Sequence, residues 1–254
     1  MGALPEVLLP LARDPGHSAL CLDFDGTLAP IVDEPSAARP LPEVPGLLAR
    51  LADRFAVVAV VSGRPTEFLH HVLASPVGVT LIGLYGLGQV GPDARPWEPV
   101  IAEIAARARA EAPAGVHVEP KGLTVTLHWR HAPEAGSWAA AFARRQEQAH
   151  GVRGGLGRLS LELRPPLDVD KGTVVRSLAS GMAALAVFGD DLGDLPAFDA
   201  AADLKSQGVA VARIAVVDDE APTEVAARAD LVVAGPLGAV ALLRELDQAA
   251  GPGG

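Results

Sequence analysis

The chain has 254 residues, of which 49% are hydrophobic, so it can bury one large core or two modest ones. Its formal net charge of −10 disfavours non-specific binding to nucleic acid or anionic membranes, although a local cation can still bring a phosphorylated molecule to a site. Cys21 is the sole cysteine, which excludes an internal disulfide. The N-terminus lacks the basic region of a signal peptide, and no apolar run is long enough to span a bilayer. We therefore expect a cytoplasmic protein with no nucleic-acid or membrane partner, and we take it to be a monomer or weak dimer.

Short apolar strands alternate with helical patterns along most of the chain. Helical spacing is present at residues 43–55 and 65–74, and Pro65 stands near the start of the second helix. Apolar runs predict strands at residues 19–24, 56–63, 79–86, 184–190 and 208–215. Continuous apolar strands separated by helices indicate an α/β fold, in which helices cover both faces of a parallel sheet.

The middle of the chain has a different pattern. It predicts helices at 98–112 and 133–150, and strands at 115–120, 122–130 and 157–165. The alternation TVTLH is typical of a sheet with only one buried face. We predict that residues 92–164 form a small α+β unit, inserted into a larger domain made of residues 1–91 and 165–254.

Two aspartates follow the first strand, in the stretch DFDGT. Functional groups of open parallel sheets collect just beyond the carboxyl ends of strands, where Asp23 is expected. A carboxylate there can attack phosphorus and form an aspartyl-phosphate, while Asp25 can protonate the leaving alcohol and then deprotonate water. Gly26 permits a backbone angle that brings loop amides close to phosphate, and Thr27 can position Asp25. The alternative is that this Asp-Gly cluster is only a turn.

A second acidic cluster argues against the turn alternative. The stretch GDDLGD places Asp190, Asp191 and Asp194 after a later apolar strand. Carboxylates that face a phosphoryl group repel it, so a cation is required, and Mg²⁺ binds carboxylate and phosphate oxygens. Ser62, after its own strand, can donate a hydrogen bond to phosphate, and Lys171 can neutralise it. Taken alone, Ser62 could equally cap a helix and Lys171 could equally be solvated.

Four motifs in this order, DFDGT, VVSGR, DKG and GDDLGD, resemble those of the haloacid dehalogenase-like (HAD) phosphatases. The resemblance implies a Rossmann-like parallel-sheet core with an inserted α+β cap of the C2 type. It implies Asp23 as nucleophile and Asp25 as general acid and base, with Ser62 and Lys171 as phosphate ligands. It implies a Mg²⁺ ion held by Asp23, the carbonyl of Asp25 and Asp190, with support from Asp191 and Asp194. Further substrate contacts from these loops are assigned to Gly26, Thr27, Gly63 and Arg64.

The inserted unit contributes to a narrower resemblance. The stretches DFDGTLAPIVDEPSAARP, VEPKGLTVTLHWR and LELRPPLDVDKG resemble the trehalose 6-phosphate phosphatases, whose cap carries a similar E-x-K-G and H-x-R run. Alternation along neighbouring strands would place polar side chains on one face, which could hydrogen-bond sugar hydroxyls. The alternative is an ordinary solvated face of a sheet. The candidate sugar-binding residues are Glu119, Lys121, His128, Arg130 and Glu162.

The sequence also departs from that family. The family's GLHGAE stretch is GLYGLG here, with Tyr85 and Gly88, and Gly193 and Leu195 stand where Thr and Glu usually follow the fourth motif. We expect a Mg²⁺-dependent phosphatase whose partner is a small sugar phosphate, with trehalose 6-phosphate as the first choice. Sucrose 6-phosphate or a glycosyl phosphate is the alternative substrate. A non-catalytic, phospho-accepting regulatory domain is disfavoured, because receivers need neither a second acid at Asp25 nor an inserted cap.

Overall fold

The computed structural model describes residues 4–89, 93–219 and 221–251. The chain divides into two compact units, one made of Met1–Tyr85 with Asp170–Gly254 and the other of Gly86–Val169. The predicted boundary at residues 91 and 92 lies outside the described residues. Within the described part of the chain, no helix combines the length and the apolar character needed to cross a bilayer.

Strands and helices are numbered along the chain within the described residues. The strands are β1 (Ser18–Leu22), β2 (Val57–Val61), β3 (Val79–Ile82), β4 (His117–Pro120), β5 (Val125–His128), β6 (Arg153–Gly157), β7 (Ser160–Arg164), β8 (Ala184–Gly189), β9 (Ala210–Val217) and β10 (Leu231–Ala234). The helices are α1 (Leu9–Arg13), α2 (Val44–Ala52), α3 (Thr66–Leu73), α4 (Glu98–Glu111), α5 (Gly136–His150), α6 (Lys171–Leu178), α7 (Leu195–Ser206), α8 (Thr223–Arg228) and α9 (Gly235–Ala249).

The first unit is built on a six-stranded parallel sheet in the order β10-β9-β8-β1-β2-β3. Successive side chains of β1 enter different cores: Leu20 and Leu22 pack with α2 and α9, whereas Ala19 and Cys21 pack with α6 and α7. Because both faces of the sheet are covered, its central strands are apolar throughout. The predicted α/β fold with a parallel sheet is confirmed.

The second unit is a four-stranded antiparallel sheet in the order β4-β5-β7-β6, with α4 and α5 packed on one face. Its core includes Ile104 of α4, Leu127 of β5 and Phe142 of α5. Because side chains alternate along a strand, the neighbours of Leu127 point to the other face. That face carries Thr126 and Glu162, which lie opposite each other in the pairing of β5 with β7.

Several elements differ from the sequence-based expectation. β6 was not predicted, because its residues RGGLG are mostly exposed and carry no apolar pattern, although they pair with β7 along the whole strand. The short helix α8 and the strand β10, which lie before α9, were not predicted. β3 ends at Ile82, because Leu84 and Tyr85 adopt φ values of 51° and 55°, which a strand cannot contain.

Candidate active site

Asp23 and Asp190 lie at the carboxyl ends of two neighbouring parallel strands. Asp23 follows β1 directly and Asp190 follows β8 directly. The N–H of Asp23 donates to the carbonyl of Phe188 at 3.1 Å, which extends the pairing of these strands beyond their ends. The strand order reverses here, because β2 and β3 continue on one side and β9 and β10 on the other. In open parallel sheets, ligands bind at the strand ends where the order reverses.

Three buried carboxylates converge at this edge of the sheet. Asp23, Asp190 and Asp194 each place a carboxylate oxygen within 4.8 Å of the others. Their exposed fractions are 5%, 2% and 1%. Buried carboxylates are costly unless cations neutralise them. Oxygen donors of this kind are the ligands of hard divalent cations, so the donor set fits an ion such as Mg²⁺.

Lys171, at the start of α6, carries one positive charge into this cluster. Its Nζ donates to Asp23 Oδ1 at 2.5 Å and to Asp194 Oδ1 at 2.6 Å. Burial by itself lowers the pKa of Lys171, but the Asp194 and Asp23 carboxylates outweigh it and raise that pKa well above its usual value. Burial raises the pKa of Asp23 to about 7, against the lowering effect of Lys171. The lysine is 5% exposed, so the alternative of a solvated side chain is wrong.

The loop after β8 is organised by two of the predicted metal-site residues. Asp194 Oδ2 accepts from the N–H groups of Asp190 at 2.9 Å and Asp191 at 3.2 Å. Asp191 Oδ1 accepts from the Gly193 N–H at 2.7 Å and caps the short 3₁₀ helix Leu192–Asp194. Among the described residues, Asp191 does not belong to the group of converging carboxylate oxygens. Its position in this structure is that of a loop cap beside the cluster.

The Asp25 carboxylate forms a bidentate pair with the guanidinium of Arg64, from the second motif. Arg64 Nε donates to Asp25 Oδ2 and Nη2 donates to Oδ1, each at 2.7 Å. Arg64 Nη1 donates to the Pro35 carbonyl at 2.8 Å, and the guanidinium carbon lies 4.9 Å from the ring centroid of Phe68. Such a bidentate pair fixes the plane of the carboxylate. Arg64, which the sequence suggested as a substrate contact, therefore holds the candidate acid in place.

Gly26 allows the loops after β1 and β8 to approach closely. Its φ is +78°, a left-handed conformation that glycine adopts without steric cost. A β-carbon at this position would lie 2.8 Å from Asp190 Oδ1 and closer still to the other two atoms of that carboxyl group. Any side chain at residue 26 would therefore displace Asp190 from the carboxylate cluster.

Ser62, directly after β2, and Thr27, in the loop after β1, are both buried but differ in hydrogen bonding. Ser62 is 1% exposed, and its Oγ accepts from the Arg64 N–H at 3.1 Å. The expected hydrogen bond from Thr27 to Asp25 is not formed, because Thr27 Oγ1 has no hydrogen-bond partner among the described residues. The Arg64 side chain occupies both carboxylate oxygens instead.

Tyr85 adjoins these loops, although the sequence singled it out only as a departure from the family pattern. Its ring centroid lies 5.8 Å from Lys171 Nζ. A β-carbon added to Gly63 would lie 2.6 Å from Tyr85 Cζ, so the ring covers that glycine. The available signal was its position just beyond the carboxyl end of β3, where functional groups of such sheets collect.

A second polar cluster lies in the antiparallel unit and centres on Glu162. Glu162 Oε1 accepts from Thr124 Oγ1 at 2.9 Å, from Thr126 Oγ1 at 3.2 Å and from Lys121 Nζ at 3.2 Å. The Lys121 and Glu162 side chains are only 8% and 10% exposed. The alternative of an ordinary solvated face is therefore wrong for these two residues.

Glu119 extends this cluster along β4. Its Oε2 lies 3.7 Å from Lys121 Nζ and 2.9 Å from His128 Nε2. The structure thus brings together Glu119, Lys121, His128 and Glu162. Arg130 lies two residues beyond β5 and is half-buried.

The chain matches known proteins over most of its length. The family model described as trehalose-phosphatase matches residues 21–231. The trehalose-phosphate phosphatase of Mycolicibacterium paratuberculosis is 37% identical over 213 residues, covering 77% of this chain and 54% of that protein. The one from Mycobacterium tuberculosis is 35% identical over 222 residues, covering 78% and 56%. The chain therefore spans about half the length of these curated relatives.

Solved structures show the same fold. The C-terminal domain of the Candida albicans trehalose-6-phosphate phosphatase superposes with a TM-score of 0.77 at 21% identity, over 99% of this chain and 98% of that chain. A haloacid dehalogenase-like hydrolase from Bacteroides thetaiotaomicron does so with a TM-score of 0.59 at 17% identity, over 90% and 99%. The fold is that of the capped HAD-like hydrolases, and the chain belongs to the trehalose-phosphatase family.

Proposed function

We propose that the protein is a Mg²⁺-dependent phosphatase that hydrolyses trehalose 6-phosphate to trehalose and phosphate through an aspartyl-phosphate on Asp23. The observation that carries the proposal is the buried contact of Asp23 with Lys171, beside Asp190 and Asp194, at the strand ends of this family's fold. The curated relatives named trehalose-phosphate phosphatase support the choice of substrate.

In the first step, a carboxylate oxygen of Asp23 attacks phosphorus, and the bond from phosphorus to the sugar oxygen breaks. Lys171 holds Asp23 Oδ1 and so fixes the orientation of the nucleophile. Asp25 gives a proton to the departing sugar oxygen. In the second step, Asp25 takes a proton from water, the water oxygen attacks phosphorus, and the acyl-phosphate bond breaks. Asp23 is thereby restored as a carboxylate.

Arg64 has a positioning role in this scheme. It binds one lone pair on each oxygen of Asp25, which leaves a second lone pair on each oxygen to carry the proton that Asp25 delivers. We propose that Arg64 thereby orients the proton-carrying lone pair towards the departing sugar oxygen. The Pro35 carbonyl, which accepts from Nη1 at 2.8 Å, keeps the guanidinium in place.

The carboxylate cluster fits a divalent cation by its charge and by its donors. Asp23, Asp190 and Asp194 carry more negative charge than Lys171 alone can neutralise. We propose that they hold Mg²⁺ together with the carbonyl of Asp25. When bound, the ion would offset the charge of the phosphoryl group and polarise its oxygens.

Sugar recognition is assigned to the antiparallel unit, predicted as the cap at residues 92–164. The cluster of Glu119, Lys121, His128 and Glu162 presents charged donors and acceptors held by one another, which suits hydroxyl recognition. A different sugar phosphate remains the second candidate, because Tyr85, Gly88, Gly193 and Leu195 differ from the family pattern.

The test is phosphate release with Mg²⁺ from trehalose 6-phosphate, sucrose 6-phosphate, glucose 6-phosphate and p-nitrophenyl phosphate. We expect trehalose 6-phosphate to be hydrolysed fastest. A flat or shifted profile would contradict the substrate, and a long-lived phosphoprotein with little turnover would indicate a regulatory domain.

Two variants test the chemistry. Asp23→Asn should abolish turnover, and Asp25→Asn should slow both departure of the sugar and hydrolysis of the phosphoenzyme. Asp53→Asn, the same charge change at an exposed position, is the matched control. Substantial residual activity of Asp23→Asn would rule out Asp23 as the nucleophile.

A further inference from the structure

Tyr85, which lies near the carboxylate cluster, has a backbone conformation that is uncommon for a residue with a side chain. Leu84 and Tyr85 both adopt left-handed φ values, 51° and 55°, although neither is glycine. Residues in that conformation are strained and persist only where the surroundings enforce them. Such strain occurs most often at binding and catalytic sites.

Three hydrogen bonds hold this turn in place, two to the second motif and one to the first residue of α3. The Gly83 N–H donates to Thr66 Oγ1 at 3.0 Å, the Leu84 N–H to the Arg64 carbonyl at 2.9 Å, and the Tyr85 N–H to the Ser62 carbonyl at 3.0 Å. The turn after β3 is thus fastened to the loop after β2. This attachment fixes where the Tyr85 side chain begins.

The Tyr85 side chain lies close to Lys171, the residue that binds the proposed nucleophile Asp23. Its ring centroid is 5.8 Å from Lys171 Nζ, which is within the range of a cation–π contact. Lys171 in turn donates to Asp23 at 2.5 Å. Gly63 leaves room for the ring, because a β-carbon there would overlap the phenol, whereas one at Gly193 would make only an ordinary contact with Cε1 at 3.9 Å.

A phosphoryl group attacked by Asp23 has to lie about 3–3.5 Å from its carboxylate. That position adjoins the Lys171 ammonium, which donates to Asp23. The Tyr85 ring lies 5.8 Å from the same ammonium, and its phenol end lies beside Gly63. A phenol hydroxyl can donate a hydrogen bond without bringing further charge, and it rotates to suit a ligand.

We propose that Tyr85 is a phosphate-contacting residue, whose hydroxyl donates a hydrogen bond to the phosphoryl group of the substrate. This inference rests on the proposed phosphatase function and deepens it. Under this proposal Tyr85 contacts the phosphoryl group, which all phosphomonoesters share, and not the sugar.

The kinetic test is Tyr85→Phe, which keeps the ring and its contact with Lys171 but removes the hydroxyl. A hydrogen bond to a charged group is worth about a 10- to 100-fold change in binding. We therefore expect kcat/KM to fall about 10- to 100-fold for trehalose 6-phosphate and p-nitrophenyl phosphate alike. The inhibition constant of inorganic phosphate should rise by a similar factor. Unchanged values, or a loss confined to trehalose 6-phosphate, would overturn the proposal.

A spectroscopic test uses the fact that Tyr85 is the chain's only tyrosine. Protein labelled with 3-fluorotyrosine should give a single ¹⁹F resonance, in the presence of Mg²⁺, that shifts saturably with inorganic phosphate. Chloride at matched ionic strength is the control. If no phosphomonoester is hydrolysed, the proposed function fails but this titration still decides whether phosphate reaches Tyr85. A resonance that does not respond to saturating phosphate overturns the inference even if hydrolysis is observed.

Discussion

Gly26→Ala tests the idea that the loops after β1 and β8 must touch for the cation site to form. Gly26 has φ +78°, and its missing side chain is what lets the Asp190 carboxylate lie against the backbone. Gly181 provides a matched control, because its φ is +77° and a β-carbon there meets nothing within 4 Å. Both variants lose stability because alanine is forced into a left-handed conformation, but only Gly26→Ala also displaces Asp190.

The two costs can be separated by their size. A left-handed conformation costs an L-residue about 1–2 kcal/mol. For a chain of this length, each kcal/mol lowers the unfolding temperature by about 2–4 °C, so Gly181→Ala should unfold about 2–8 °C below the wild type. The unfolding temperature of Gly26→Ala should be lowered by at least as much. Its β-carbon would lie closer than 3.0 Å to all three atoms of the Asp190 carboxyl group, which therefore has to turn away.

Turning Asp190 away removes one of three converging carboxylates. Loss of even an outer-shell partner of a metal ligand weakens binding about 10- to 100-fold, and loss of a ligand should weaken it at least as much. The assay is the Mg²⁺ concentration that gives half-maximal phosphate release, together with thermal unfolding of both variants. We expect that concentration to rise by this factor for Gly26→Ala and to stay at the wild-type value for Gly181→Ala. Equal Mg²⁺ requirements would refute the role of the close approach at Gly26.

Two further predictions concern other parts of the chain. Glu162→Gln should lower kcat/KM for trehalose 6-phosphate about tenfold or more, because it removes the charged acceptor of Lys121 in the antiparallel unit. Hydrolysis of p-nitrophenyl phosphate should be nearly unchanged, because this substrate carries no sugar. Equal losses on both substrates would argue against sugar recognition by this cluster. For Asp230, partial burial opposes ionisation, but hydrogen bonds from the side chain and backbone of Arg213 and from a lysine outweigh it and lower the pKa to about 2. Because an unfolded Asp has a pKa of about 3.9, this stabilisation is complete above about pH 5 and is lost as the pH falls towards 2. The free energy of unfolding by urea should therefore fall less steeply below about pH 5 in Asp230→Asn than in the wild type, and identical slopes would contradict this reasoning.

The sequence was sufficient for the α/β class of the first unit and for five of the six strands in its sheet. Its central strands are buried on both faces, so each appears as a continuous apolar run, and the intervening helical patterns require parallel connections. The carboxyl ends of parallel strands share one edge, which is why the acidic residues after β1 and β8 were expected to lie together. Three of the four motifs lie at the ends of β1, β2 and β8, and DKG stands at the start of α6. The order of these motifs along the chain indicated the family.

Two strands were not recognised, β6 and β10. β6 is rich in glycine and exposed, and it is a strand because β7 offers a partner for its backbone. β10 has the apolar sequence LVVA, but it is only four residues long, two of them are exposed, and among the described strands it pairs with β9 at the edge of the sheet. In both cases the backbone pairing that makes the strand comes from a neighbour whose position depends on the tertiary structure.

The sequence by itself determined which residue types are available at each strand end, and tertiary structure decided which of them pair. Arg64 and Asp25 are 39 residues apart in the sequence, and Lys121 and Glu162 are 41 residues apart. No local spacing in the sequence therefore predicts either hydrogen bond. The same holds for Tyr85, whose ring meets Lys171 only because a strained turn is fastened to the second motif. Periodicity records which face of an element is buried, whereas hydrogen bonds between distant side chains depend on packing at the scale of ångströms.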